Sequence, residues 1–170
     1  MFVGKLINRK NPLLFIKIAE KLKNEKNIYF NIVGSGPLFD VCKREIKIKS
    51  LDNISMLGFR NQKELKKIYS NNDYLVLTSN YETWGLVVNE AMASGLPVIT
   101  SHNSGAAHDL IKHNNNGHIF RNQEHLFKII SQLAKNKKLR IKLRSNVKKK
   151  IKQYSVDKTI RSIIKILYKS

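Results

Sequence analysis

Cysteine is nearly missing from this sequence. Cys42 is the one thiol in 170 residues, so no internal disulfide can form. It falls in a stretch of helical period, Pro37–Ser50, where a packed thiol is expected rather than a nucleophile. Acidic residues are also scarce, 12 against 32 Lys and Arg, for a formal net charge of +20. No apolar run approaches the ~18 residues of a membrane-crossing helix. The start, Met1-Phe2-Val3-Gly4-Lys5, lacks the charged region and long apolar stretch of a signal peptide, so a cytoplasmic location is expected. No Gly-Lys-Ser/Thr occurs, which excludes a P-loop. No Asp-x-Asp occurs either, the pair that holds a metal and a diphosphate in other transferase folds. Five histidines (His102, His108, His113, His118, His125) crowd one quarter of the chain, but they share no helical face and no acidic ligand accompanies them. Surface or loop histidines are expected, with no bound metal.

What is present suits a single folded domain. Hydrophobic residues make up 42 %, enough for a buried core at this length. The charge admits four readings: a nucleic-acid backbone, an anionic membrane surface, an anionic nucleotide substrate, or a compositional habit of a chain rich in Lys, Asn and Ile. The densest run is Lys135–Lys152, where Leu139, Leu143, Val147 and Ile151 form an apolar stripe. A helix packed on its own domain with a solvated basic face is expected there. A basic amphipathic helix in peripheral contact with an anionic membrane is the alternative. No aromatics interleave with this run, so nucleic acid is not an expected partner.

The chain alternates short apolar runs with longer segments of helical period. Strands are expected at Val3 and its neighbours, Ile28–Val33, Ile54–Leu57, Tyr74–Leu77, Val98–Thr100 and Gly117–Phe120. Helices are expected at Pro12–Lys23 (with Asn11 as N-cap), from Pro37 to about Lys49, at Gln62–Tyr69, Trp84–Ser94 and Ala106–Ile111. Helix then fills most of Glu124 to the end, broken near Lys135–Lys138 and Tyr154–Asp157. Tyr74–Leu77 is continuously apolar, as in strands covered on both faces. Strand–helix alternation implies a doubly wound parallel α/β sheet, which binds ligands beyond the carboxyl ends of its strands. Ile32–Phe39 carries Gly34-x-Gly36 after a strand, but the third glycine of a dinucleotide fingerprint is absent.

The chemistry concentrates in Ser79–Pro97, SNYETWGLVVNEAMASGLP. Glu82 lies in the loop after a buried strand, and Glu90 on the helix that follows. Were the span between them all helical, the two would be about 12 Å apart along the axis. Between them the N–H groups around Trp84, Gly85, Leu86 and Val87 form an anion site at the helix start. Carboxylate, anion site and carboxylate match the order of sugar, diphosphate and ribose in a nucleotide sugar. Two solvated glutamates flanking an ordinary helix would give the same spacing.

This segment resembles the C-terminal signature of family 4 of the retaining glycosyltransferases, which have the GT-B fold. Ser79, Glu82, Gly85, Leu86, Glu90, Ala91, Met92, Ala93, Ser94, Gly95, Pro97 and Val98 all match. Further matches follow in order: FVGKL at Phe2–Leu6, IVGSGP at Ile32–Pro37, MLGF at Met56–Phe59, SGAAHDLI at Ser104–Ile111 and NGHIF at Asn116–Phe120.

The resemblance implies a single Rossmann-like domain over residues 1–170, equivalent to the C-terminal half of GT-B. It implies a glycosyltransferase that moves a hexosyl-type sugar, with retention, from a nucleotide diphosphate sugar to a glycan or lipid-linked acceptor. No metal or other cofactor is implied. Lys5 and Lys10 would contact the donor diphosphate, and Glu82 would lie near the transferred sugar. Thr83, Trp84, Gly85, Leu86 and Val87 would surround the sugar and its phosphate, and Glu90 would bind the ribose hydroxyls. Gly4, Gly36 and Phe59, in the matching turns, would complete the donor site. Four positions depart from the pattern. Lys5 replaces an Arg, turning a bidentate fork into a point charge. Thr83-Trp84 replaces Gly-Phe, Ala106 replaces a Gly, and Asp109 stands where Glu is usual. The family's N-terminal acceptor domain is absent, which implies a truncated gene, an excised piece, or one chain of a two-chain enzyme. A donor-binding module that is inactive without its partner chain is the alternative reading.

Overall fold

The structure is a computed structural model that describes residues 1–151. The expected break at Tyr154–Asp157 and the final helix lie outside the described residues.

Six parallel strands alternate with seven helices among the described residues: β1 (Phe2–Val3), α1 (Pro12–Lys21), β2 (Phe30–Val33), α2 (Phe39–Ile48), β3 (Ile54–Gly58), α3 (Gln62–Ser70), β4 (Leu75–Leu77), α4 (Leu86–Ala93), β5 (Val98–Ser101), α5 (Gly105–Asp109), β6 (Gly117–Phe120), α6 (Gln123–Lys135) and α7 (Lys137–Ile151). They form two sheets, β1-β2-β3 and β4-β5-β6. These meet along β1 and β4, where the Val76 N–H donates to the Met1 carbonyl at 2.8 Å. The combined order is β3-β2-β1-β4-β5-β6. Its connections reverse direction between β1 and β4, the switch point at which such sheets bind ligands.

The expected doubly wound fold is present, and side-chain alternation explains its layers. Phe2, Ile32, Val76, Ile99 and Phe120 point to one face and pack with α1 and α6. Val3, Val33, Leu75, Leu77 and Val98 point to the other and pack with Tyr69 of α3, α4 and α7. Period-two alternation with both faces apolar is what a sheet covered by helices on each side requires.

Several boundaries shift for local reasons. Strand β2 starts at Phe30, where its pairing with β3 begins opposite Ile54. Helix α4 starts at Leu86 and not at Trp84, because Gly85 takes φ +85° and breaks the helical path. The helical distance between Glu82 and Glu90 therefore does not apply. Asn11 caps α1 as expected, accepting from the Leu14 N–H at 3.2 Å with Pro12 in the first turn. In α7 the expected stripe packs inward, with Leu143 and Val147 buried and Leu139 and Ile151 half-buried. His118 departs from the expected surface position: it lies on β6 and is 5 % exposed. There its ring packs edge to face against that of His113, 5.3 Å away.

Candidate functional site

Two loops meet beyond the carboxyl ends of the central strands. After β1 the chain runs through Gly4 and Lys5 to a 3-10 turn, Asn8–Lys10. After β4 it runs through Thr78–Gly85. Thr78 Oγ1 donates to the Lys10 and Asn11 carbonyls at 3.0 and 2.9 Å. The Asn80 N–H donates to the Arg9 carbonyl at 2.9 Å, and the Asn11 amide donates to Asn80 Oδ1 at 2.8 Å. Asn11 takes φ +49° to do this. Such strain at a loop junction holds only where the surroundings over-determine it.

This stitching brings Lys10 onto Glu82. The ammonium donates to Glu82 Oε2, and the two side chains are 14 % and 8 % exposed. Arg9 lies 3.9 Å from the other carboxylate oxygen. Ser79 Oγ donates to Oε2 at 3.5 Å, and Ser79 is itself fixed by the Ser101 hydroxyl, which donates to its carbonyl at 2.7 Å. Taking a carboxylate out of water is costly unless it is paired, and here a lysine does the pairing.

The Glu82 loop is also pinned from its other side. The Glu82 N–H donates to the Asn103 carbonyl, and the Gly105 N–H donates to the Glu82 carbonyl at 2.9 Å. A side chain at Gly105 would come within 2.0 Å of the Thr83 carbonyl oxygen, so the contact requires glycine. The turns that carry Gly4 and Gly36 pack equally closely. A Cβ on Gly34 would lie 1.9 Å from the Gly4 carbonyl oxygen, and one on Gly36 would lie 2.7 Å from that of Leu6.

Gly85 opens α4 with no side-chain cap. The first amide to find a main-chain acceptor is that of Val88, which donates to Gly85 at 2.8 Å. The amides before it have no main-chain acceptor or side-chain cap among the described residues, which leaves them for an anion. Thr83 and Leu86 are exposed, Val87 is half-buried, and the Trp84 indole N–H donates to Asn89 Oδ1 at 2.8 Å. That bond fixes the ring beside the helix start.

Glu90 lies one turn further along α4 and away from Glu82. It lines a hollow of about 460 Å³ against α3, where the Tyr69 hydroxyl donates to it at 3.1 Å. Burial, then the Glu90 charge, holds the Tyr69 hydroxyl well above its ordinary pKa. A second hollow, of about 350 Å³, is lined by Gly4, Lys5, Gly36, Phe59 and Arg60. Leu65 lines both, so they are neighbours. Phe59 is 74 % exposed on the rim of the second. Glu82 and Trp84–Leu86 line neither hollow. The predicted residues thus form two groups, Lys10 with Glu82 and the α4 start, and Lys5, Gly4, Gly36 and Phe59 beside the Glu90 hollow.

Sequence reasoning missed Arg9, Thr78, Asn80 and Tyr69. Their contacts span 21 to 73 positions, beyond any local pattern. Cys42 is buried in the core, and burial pushes its thiol up to about 11, which suits packing and not attack. No cluster of three His, Cys, Asp or Glu among the described residues can hold a metal ion.

A family model described as glycosyl transferases group 1 matches residues 1–150. An uncharacterized glycosyltransferase of Methanocaldococcus jannaschii is 36 % identical over 121 residues, 69 % of this chain and 30 % of that protein. Among solved structures, a mutant of S. aureus TarM in complex with fondaparinux, alpha-GlcNAc-glycerol and UDP superposes with a TM-score of 0.87 at 27 % identity. It covers 96 % of this chain and 34 % of TarM. The C-terminal domain of LpcC, a glycosyl transferase group 1 family protein from Francisella tularensis, superposes with a TM-score of 0.82 at 25 % identity. That match covers 91 % of this chain and 85 % of that domain. The chain thus spans about a third of the first two proteins and most of an isolated C-terminal domain, in line with the expected half of GT-B.

Proposed function

From the premise that the chain belongs to the glycosyl transferases group 1 family, we propose that it binds a nucleotide diphosphate sugar and serves glycosyl transfer from it. The observation that carries this reading is the buried Lys10–Glu82 pair beside the uncapped start of α4. A cation, a set of free amides and a carboxylate converge at the switch point of the sheet. A diphosphate presents the anion such a cluster accepts, and the sugar presents hydroxyls to the carboxylate.

In this reading the diphosphate draws on Lys10, Lys5 and the amides of Trp84, Gly85, Leu86 and Val87. Glu82 accepts from a sugar hydroxyl, with Thr83 and Trp84 beside the sugar. Glu90 accepts from the ribose hydroxyls, and the base lies toward Gly4, Gly36 and Phe59. UDP in the TarM complex favours a nucleoside diphosphate at this place.

The chemistry asked of these residues is electrostatic. As the bond from the anomeric carbon to the diphosphate oxygen breaks, the electron pair stays on that oxygen. The lysines and oriented amides stabilise the charge that develops there. This proceeds without a metal and with retention at the anomeric carbon, and the sugar is of hexosyl type. The acceptor, a glycan or a lipid-linked sugar, is held by a separate N-terminal domain or partner chain, at a cytoplasmic site. A module that binds donor without turning it over alone is the second reading.

Calorimetric titration with UDP, GDP and ADP tests the donor site. Micromolar to sub-millimolar binding of one of them is expected, and silence at millimolar concentration overturns the reading. Turnover of a nucleotide sugar by the chain alone would exclude the second reading.

A further inference from the structure

We propose that the outward face of α7 is a docking surface for an anionic lipid bilayer. The apolar stripe Leu143–Val147 is consumed by packing on the domain. The opposite face is exposed among the described residues. Lys137, Lys138, Ile141, Lys142, Ser145, Lys148 and Lys149 are all exposed, and their spacing puts them within about 140° of one another on the helix. Ile141 is 61 % exposed in the middle of this lysine field. Lys138, Lys142 and Lys149 form no ion pair among the described residues.

The charge here is local and not a habit of the whole chain. No acidic residue occurs between Glu124 and Asp157, whereas α1, α2 and α3 each carry at least one. Each lysine near an anionic leaflet adds attraction, and an apolar side chain among them enters the headgroup boundary. An exposed isoleucine does nothing for a phosphate backbone, and no aromatic on this face could stack a base. The surface therefore fits a bilayer better than a nucleic acid. The proposal stands apart from the donor reading, because none of these residues lies in that site.

The test floats the full chain with phosphatidylcholine vesicles, with or without phosphatidylglycerol. Binding to the anionic vesicles alone, weakened by salt, is expected. The variant Lys138→Gln/Lys142→Gln/Lys149→Gln should bind about a hundredfold more weakly, at ~1 kcal/mol per cation. Ile141→Ser should weaken binding severalfold while leaving the salt dependence intact. A control, Lys17→Gln/Lys43→Gln/Lys47→Gln, removes the same charge from α1 and α2 and should bind as the parent does. Equal loss in the two triple variants overturns the proposal, since net charge alone would then explain binding. So does failure to bind anionic vesicles, or duplex DNA binding that outcompetes them and ignores Ile141→Ser. All these substitutions are on exposed positions, and a thermal melt of each confirms folding. Nucleoside diphosphate titration of the same variants should be unchanged, so that either proposal can fail without the other.

Discussion

Lys10 and Glu82 are 72 positions apart in sequence and in direct contact in the fold, the lysine ammonium donating to the glutamate carboxylate. One residue follows β1 and the other follows β4, so the pair bridges the line where the two sheets meet. The contact gives Glu82 a partner that lets it be buried, and it places a cation beside the α4 start. The same two side chains are thus structural in the free protein and available to a ligand.

Removing Lys10 should cost both stability and ligand affinity, and the two losses can be separated. Lys10→Met leaves a buried carboxylate facing only Arg9 and Ser79, which should cost about 2 kcal/mol of stability. Adding Glu82→Gln removes the stranded charge and should restore most of that stability. Affinity for a nucleoside diphosphate should fall tenfold or more in Lys10→Met and stay low in the double variant. Recovery of affinity together with stability would show that Lys10 only holds the loop. Urea denaturation and calorimetry read the two quantities.

Glu90 should matter for the ribose and not for the phosphates. Glu90→Ala should weaken binding of a ribonucleoside diphosphate by about tenfold, the scale of a hydrogen bond to a charged group. It should weaken the 2′,3′-dideoxy analogue hardly at all. Tyr69→Phe removes the donor that orients the carboxylate and should produce a smaller loss in the same direction. Equal losses for both nucleotides would place Glu90 elsewhere in the site.

Much of the fold was legible in the sequence because buried parallel strands and amphipathic helices write their period directly. Tyr74–Leu77 and Val98–Thr100 read as core strands from composition alone. Glu82 and Glu90 were legible as a spacing, but their relation was not. Gly85 delays the start of the helix by two residues by adopting a left-handed conformation, and a glycine's dihedral angle has no sequence signature of its own. The Lys10 contact depends on strand order, and Arg9, Thr78 and Asn80 become neighbours only when β1 lies beside β4. His118 was misplaced because an isolated polar residue in a short strand carries no mark of burial.

The turn glycines should tolerate alanine very unequally. Gly34 takes φ +142°, and a Cβ there would lie 1.9 Å from the Gly4 carbonyl oxygen. Gly34→Ala should cost roughly 3 kcal/mol and lower the melting temperature by about 10 °C. Gly58 has φ +69° but nothing within 4 Å of its Cβ position. Gly58→Ala meets only the backbone penalty, about 1 kcal/mol. Similar melting temperatures for the two variants would contradict the close packing of the β1 and β2 turns.

Stability should depend on pH through His118. Burial, then the neighbouring imidazoles of His113 and His125, lowers its pKa to about 4. The rings of His113 and His118 are 5.3 Å apart, edge to face. Burial and His125 also lower His113. In the unfolded chain His118 takes up a proton near its ordinary value of 6.5. Between that value and about 4 the unfolded state binds more protons, so stability falls as the pH drops through this window. The loss should reach up to about 3 kcal/mol, the equivalent of the shift. His118→Leu keeps an apolar group of similar size on β6 and has nothing to protonate. Urea midpoints measured at about pH 7 and pH 5 should therefore converge in the variant relative to the parent. Carboxylate protonation is common to both proteins and cancels in that comparison. Parallel curves would mean that His118 is already charged, or accessible, in the folded protein.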